Sequence, residues 1–294
     1  MGIKRVAVIG AGQMGSGIAQ VAAEAGYAVV VREVSRPLLE RGLGLVERNW
    51  TRAVERGTIT RARKAEVAAN LRGVVPLEEL GECDLAIEAI TEDLQAKKAL
   101  FAALDKHCAP ETILASNTSA MPIIEMAMAT GRPDRVCGLH FFNPVPAMKL
   151  VEVVRTARTS EDVFRAALEF VTALGKEPVL ARDEAGFVVN RLLVPYLLDA
   201  VRAVEGGLAS IPDIDKGMRL GCGHPMGPLT LLDFIGLDTI AAVADVMFDE
   251  FRERRYAPPP LLRRMVRAGF YGKKSGRGFY DYSGPEPRVP ELGV

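Results

Sequence analysis

One hexapeptide constrains this chain more than any other stretch: Gly10-Ala11-Gly12-Gln13-Met14-Gly15. It follows a short apolar run at residues 3–9 and opens a segment, 13–25, whose apolar residues recur at helical spacing. Within such a strand–turn–helix unit each glycine has its own task. Gly10 permits the tight turn, Gly12 lets the backbone approach a pyrophosphate, and Gly15 lets helix and strand pack closely. The helix N-terminus, reached through Gln13 and Met14, then favours the phosphate charge. A second apolar run, Tyr27 to Arg32, ends at Glu33. A carboxylate there is placed to bind a ribose 2′-hydroxyl and to repel a 2′-phosphate, so the pattern predicts NAD rather than NADP. Arg32 and Arg36 flank Glu33 and are the counter-argument. A glycine-rich turn with a solvated Glu is the plainer alternative.

The rest of the first 183 residues repeats the alternation. Helices are predicted over 36–56, 61–70, 93–107 and 161–174. Strands are predicted over 85–88, 112–115, 136–141, 150–154 and 176–180. The strands carry few polar residues, which implies a parallel sheet covered on both faces. After Asp183 the periodicity becomes helical almost throughout, over 187–205, 212–220, 227–235, 236–254 and 260–268, with Pro195 expected to kink the first of these. The fold class is therefore an α/β Rossmann-type domain (1–183) followed by an all-α C-terminal domain (184–294). Ser283 to Val294, with three prolines, reads as a loosely held tail.

Composition removes other classes. The 294 residues carry 37 Lys+Arg against 37 Asp+Glu, and neither half has the basic excess of a nucleic-acid binder. The longest later apolar stretch, Phe187 to Leu198, contains Asn190 and Arg191 and is too short and polar for a bilayer span. The four cysteines show no metal-ligand spacing and suit reduced thiols in a cytosol. There are only 3 His, 5 Asn and 3 Gln, a scarcity of labile amides that accompanies heat adaptation.

The scarce histidines direct attention to Gly138-Leu139-His140-Phe141-Phe142-Asn143-Pro144. His140 ends a predicted strand, where open α/β sheets place their chemistry. Twelve residues on, Glu152 lies in an otherwise apolar strand. A buried Glu is costly unless paired, and an imidazole is the obvious partner. His with an orienting carboxylate is a general base able to take a proton from an alcohol. A core His satisfied by a surface Glu is the structural alternative. Ala115-Ser116-Asn117-Thr118-Ser119 follows another strand and offers short polar groups, or simply a helix cap. Asn190 stands on the first helix of the second domain, facing the interdomain cleft or serving as a buried structural amide.

Taken together, these motifs resemble the short bacterial 3-hydroxyacyl-CoA dehydrogenases, a family that includes 3-hydroxybutyryl-CoA dehydrogenases. The stretches that carry the resemblance are Val8 to Gly15, Ala115 to Ser119, His140 to Pro144, Gly186 to Arg191, His224 to Pro228 and Gly276 to Tyr280. The resemblance implies NAD-dependent, reversible oxidation of an (S)-3-hydroxyacyl-CoA to the 3-ketoacyl-CoA. It implies His140 as catalytic base, Glu152 as its paired acid, and Ser119 and Asn190 as substrate contacts. It also implies Glu92, Lys97, Asn143 and Lys274 as cofactor contacts. Two departures stand out. The family's usual Asp after the second strand is Glu33 here, and its Ser-Ser is Ser119-Ala120, so one hydroxyl is missing.

The long apolar helices of the second domain have few partners within one chain, which predicts a homodimer through that domain. Arg48, Arg52 and Arg56 form a stripe on the 36–56 helix, suited either to coenzyme A phosphates or to a solvated face paired with Glu47 and Glu55. Two rival functions share the scaffold: a dehydrogenase of a hydroxy acid without coenzyme A, and a catalytically silent, crystallin-like NAD-binding protein. No nucleic acid, membrane or metal partner is expected, and the expected location is cytoplasmic.

Overall fold

The computed structural model describes residues 2–290. It forms two compact units, Met1–Glu184 and Ala185–Val294. In the first, β1 (Arg5–Ile9), α1 (Gln13–Glu24), β2 (Ala28–Arg32), α2 (Arg36–Glu55), α3 (Arg61–Ala69) and β3 (Leu71–Val74) are followed by β4 (Leu85–Glu88), α4 (Leu94–His107), β5 (Ile113–Ser116) and α5 (Ile123–Ala127). The unit closes with β6 (Val136–Phe141), β7 (Leu150–Arg155), α6 (Glu161–Ala173) and β8 (Glu177–Arg182). The strands form one sheet in the order β3-β2-β1-β4-β5-β6-β7-β8.

Every neighbouring pair is parallel except β6 with β7, which is antiparallel. The sequence implied a parallel sheet, and this pair is the departure. A parallel return needs a crossover of about a dozen residues or more. Only residues 142–149 separate the two strands, so the chain must turn back on itself. The sequence pattern does not reveal β3, where Arg72 and Gly73 interrupt the apolar run, or α5, whose 5 residues are little more than one helical turn.

Side chains alternate across the sheet. Val6, Val8, Leu85, Ile87, Leu139 and Val153 share one apolar cluster with Ile18 of α1, Trp50 of α2 and Phe170 of α6. With a period of two, Glu88, Ser116, His140 and Glu152 fall on the opposite face. There Gly138 is the small residue: a Cβ would lie 2.8 Å from that of Val154 and 3.1 Å from the Ile123 Cδ1 of α5.

The glycine loop is held by two close approaches. Gly10 has φ of +101°, and a Cβ on it would lie 2.5 Å from the Ala89 carbonyl oxygen. A Cβ on Gly15 would collide with the Gly10 carbonyl. Both positions therefore exclude side chains for reasons of backbone packing.

The second unit is helical: α7 (Val189–Glu205), α8 (Ile211–Gly221), α9 (Pro228–Ile235), α10 (Leu237–Phe251) and α11 (Pro260–Arg267). Its core includes Leu197, Leu198, Leu232, Ile240, Met265 and Phe279. Pro195 lies inside α7, as its sequence position required. Among the described residues no helix is long and apolar enough to cross a membrane. Residues 291–294 of the expected loose tail lie outside the described residues; nearer the core, Asp281 and Arg288 pair through their backbones.

Two buried aspartates organise this unit. Asp215 of α8 caps α9 by accepting the Leu229 and Thr230 N–H groups at 2.8 and 3.0 Å, together with the Thr230 and Tyr280 hydroxyls. A side chain at Gly227 would collide with it, which explains the glycine in His224-Pro225-Met226-Gly227-Pro228. Asp233 of α9 accepts the Phe279 and Tyr280 N–H groups at 2.9 and 2.8 Å and the Tyr282 hydroxyl at 3.0 Å. A side chain at Gly278 would strike that carboxylate, which accounts for the second glycine of Gly276-Arg277-Gly278-Phe279-Tyr280.

Burial pushes the Asp233 carboxyl up to about 6, the nearby Asp215 charge adds to this, and the backbone donors resist it. The folded value exceeds the ordinary 3.8, so between these values the folded state holds the extra proton. Stability then falls as pH rises through that window. Asp233→Asn is expected to remove this dependence. Its urea-derived stability relative to the parent should improve by on the order of 2 kcal/mol between pH 4 and pH 7.5. A constant difference across that range would contradict the assignment.

Candidate active site and cofactor cavity

The antiparallel register places His140 of β6 directly opposite Glu152 of β7. Cross-strand partners share a face. The imidazole Nδ1 lies 2.6 Å from the Glu152 Oε2, with His140 4% exposed and Glu152 fully buried. A carboxylate accepts, so Nδ1 carries the proton and Nε2 is the basic nitrogen. The Phe142 ring packs beside the imidazole, centroids 4.4 Å apart.

Beside this strand end lies a cavity of about 740 Å³, lined by Gly10, Gly12, Glu33, Glu92, Lys97 and Ser119 among others. His140 is outside that lining. The Asn117 side-chain oxygen, whose residue is in the wall, accepts the Phe141 N–H at 2.9 Å and ties the two strand ends together.

The cavity has the donor set a dinucleotide requires. α1 opens at Gly12, where an added Cβ would meet nothing within 4 Å, so the backbone is open to an approaching phosphate. Gln13 donates to the Asn143 side-chain oxygen at 2.9 Å, joining the helix start to the segment after His140. Glu33 accepts the Ala11 N–H at 2.8 Å on one oxygen and the Val34 N–H at 2.7 Å on the other. Its extra methylene folds the carboxylate back over the glycine loop. Each oxygen keeps a second lone pair for a sugar hydroxyl. Arg32, the possible counterweight, donates through Nε to the Val75 carbonyl at 3.0 Å.

Glu92, Lys97 and Ser119 come together. Glu92 accepts the Thr118 hydroxyl at 2.8 Å and the Ser119 N–H at 3.2 Å, and lies 3.4 Å from the Lys97 ammonium. Lys97 is only 1% exposed and donates to Glu88 at 2.5 Å. Glu88 was missed in the sequence. The same argument that singled out Glu152, an acid in an apolar strand, would have found it. The capping alternative for Ser119 does not hold. The backbone N–H groups of Ile123 and Ile124 at the start of α5 donate to Asp183, at 2.6 and 2.7 Å.

Asn190 and Lys274 belong to the second unit. Asn190 is the second residue of α7, and the Lys274 ammonium lies 2.6 Å from Asp238. Of the other histidines, His107 ends α4, and His224 bonds the Tyr196 hydroxyl at 3.1 Å. In the arginine stripe, Arg48, Arg52 and Arg56 are exposed, and Glu47 pairs instead with Lys64.

Residues 5–184 match the family described as 3-hydroxyacyl-CoA dehydrogenase, NAD binding domain, and residues 186–282 match its C-terminal domain. The chain belongs to the 3-hydroxyacyl-CoA dehydrogenase family. It is 51% identical over 282 residues to a 3-hydroxybutyryl-CoA dehydrogenase of Mycobacterium tuberculosis, covering 95% of this chain and 99% of that one. It is 44% identical to the mitochondrial hydroxyacyl-coenzyme A dehydrogenase of Homo sapiens, covering 95% and 91%. The crystal structure of (S)-3-hydroxybutyryl-CoA dehydrogenase PaaH1 from Ralstonia eutropha superposes with a TM-score of 0.92 at 42% identity, covering 96% of this chain and all of that one.

The cofactor of this family is NAD, and the position of Glu33 generates a test. If Glu33 faces the adenosine ribose, as the sequence predicts, Glu33→Ala removes both the hydroxyl acceptor and the repulsion of a 2′-phosphate. The NAD-over-NADP ratio of kcat/KM is expected to fall by about tenfold or more. An unchanged ratio would show that the discrimination lies elsewhere.

Proposed function

We propose that this protein catalyses the reversible NAD-dependent oxidation of an (S)-3-hydroxyacyl-CoA, with 3-hydroxybutyryl-CoA as the expected substrate, to the 3-ketoacyl-CoA. The observation that carries the mechanism is the buried His140–Glu152 pair at the end of β6, in a chain of this family. His140 Nε2 takes the proton of the C3 hydroxyl. Glu152 holds Nδ1–H, which fixes the tautomer and steadies the positive charge that develops on the ring. Bound NAD supplies the acceptor for the hydride leaving C3. The Ser119 hydroxyl and the Asn190 amide hold the substrate oxygen. Gly10, Gly12 and the first turn of α1, with Gln13, Met14 and Gly15, receive the pyrophosphate, and Glu33 takes the ribose. Glu92, Lys97, Asn143 and Lys274 complete the cofactor contacts.

Domain roles follow: residues 1–183 bind the cofactor, and residues 184–294 contribute to substrate binding and join two copies into a homodimer. Exposed Leu192, Leu208, Leu220 and Phe234 on the second unit support the dimer. The free thiols, three of them buried, agree with a cytoplasmic setting.

Replacing His140 by Gln is expected to preserve folding and NADH binding while lowering kcat by about 10²–10⁴-fold. Near-normal turnover in the folded variant would remove His140 from the role of base. NADH oxidation with acetoacetyl-CoA but not with free acetoacetate is the expected substrate pattern. Equal rates would favour a hydroxy-acid dehydrogenase of the same fold, and no turnover with either, despite tight NADH binding, a silent binding protein. Sedimentation at micromolar concentration should give a mass of twice 31.8 kDa; the monomer mass would overturn the dimer.

A further inference from the structure

The residues around the cavity wall form a closed polar ring. Glu88 ends β4 and Ser116 ends β5, and the two are register partners. The Ser116 hydroxyl donates to the Glu88 Oε2 at 2.6 Å and its oxygen receives the Thr118 N–H at 3.2 Å. The Thr118 hydroxyl donates to Glu92, Glu92 lies 3.4 Å from the Lys97 ammonium, and Lys97 donates to the Glu88 Oε1. The Ile90 N–H adds a third donor to Glu88 at 2.8 Å. Glu88, Lys97, Ser116 and Thr118 are all buried, and Glu92 is half exposed.

Such a ring is an expensive way to fill space. A buried ion pair gains little stability over apolar residues of the same volume, because both charges lose their hydration. What it supplies is geometry. Lys97 joins α4 to the sheet, and Glu92 carries that anchor to the backbone of Ser119. Neighbouring charges are otherwise engaged: Lys98 pairs with Glu125, and Asp93 caps α4 through the Ala96 N–H. Among the described residues Glu88 and Glu92 are the carboxylates that reach Lys97.

We infer that Glu88 is a positioning residue for the cofactor cavity, acting through Lys97 and Ser116 to hold the Glu92 carboxylate and the Thr118–Ser119 backbone in the cavity wall. The ring makes this segment rigid before any ligand enters. Ser119 is the residue the proposed function assigns to the substrate oxygen, so the inference rests on that reading for its consequence, though not for its geometry.

A double-substitution cycle tests it. Glu88→Gln keeps the side-chain volume and removes the charge, and Thr118→Val removes the hydroxyl given to Glu92. The dissociation constant for NADH, read by its fluorescence without substrate, is expected to rise by about tenfold in each single variant. Because both break one ring, the double variant should bind little worse than either single variant. Fully additive losses, or unaltered NADH affinity in folded Glu88→Gln, would overturn the inference. A second readout needs no ligand. Amide hydrogen exchange in the cofactor-free protein should quicken at Ser119 in Glu88→Gln while Ile87, inside β4, keeps its protection. Equal acceleration at both would show a merely structural residue and overturn the role. Should Glu88→Gln fail to fold, Ser116→Ala takes its place in both measurements, with the same direction expected and the same outcomes overturning the inference. If the parent protein itself binds no NADH, the NAD-dependent function falls, and the exchange experiment still decides the ring.

Discussion

A carboxylate taken out of water must be surrounded by donors, and among the described residues four buried carboxylates organise this chain. Glu152 meets an imidazole, Glu88 an ammonium, a hydroxyl and a backbone N–H, and Asp215 and Asp233 meet helix-end or loop N–H groups and tyrosine hydroxyls. Each removes one side chain from the apolar inventory and in return specifies a single arrangement of the segments that satisfy it. An unsatisfied buried carboxylate would cost several kcal/mol, so alternatives lacking these donors are strongly disfavoured. The packed faces supply the bulk of the stability; the carboxylates decide which surfaces meet.

In the first unit the two buried glutamates stand three strands apart in the sheet. Glu88 lies on β4 and Glu152 on β7, both on the sheet face opposite the α1, α2 and α6 cluster. The antiparallel return of β7 makes the His140–Glu152 pair possible, because it sets the two residues face to face in one register. In the second unit the aspartates explain glycines that otherwise look unmotivated. Gly227 and Gly278 are small because a carboxylate occupies the space where their Cβ atoms would be.

Much of this was legible beforehand. The glycine fingerprint, the acid at Glu33, the change from alternating to all-helical periodicity near residue 183, and Glu152 as an acid out of place in an apolar strand could all be read from residue order. The pairing of Glu152 with His140 was expected from chemistry and is present at 2.6 Å. The misses have physical causes. β3 carries Arg72 and Gly73 where a strand pattern would be apolar, and α5 is too short for its helical spacing to repeat. Glu88 ended its strand inconspicuously, and its partner Lys97 lies one helix turn into α4, on a residue type usually found in solvent. The expected pairing of the α2 arginines with Glu47 gave way to a cross-helix contact with Lys64, because side-chain reach between helices is not encoded in spacing along one of them.

The residue order by itself determined which backbone could form: where glycine must stand, where strands alternate with helices, which acids and histidines were candidates, and which family the motifs resemble. Those are local properties of dihedral freedom, periodicity and residue type, and they survive without knowledge of distant contacts. The tertiary structure alone decided the partner that buries Lys97 and the closed ring from Glu88 through Glu92 to Thr118. Each depends on the ends of β4 and β5 and the first turn of α4 being packed so that side chains meet within about 3 Å, the range in which hydrogen bonds act. Distances at that scale are set by how whole elements pack, which residue order along one element does not specify.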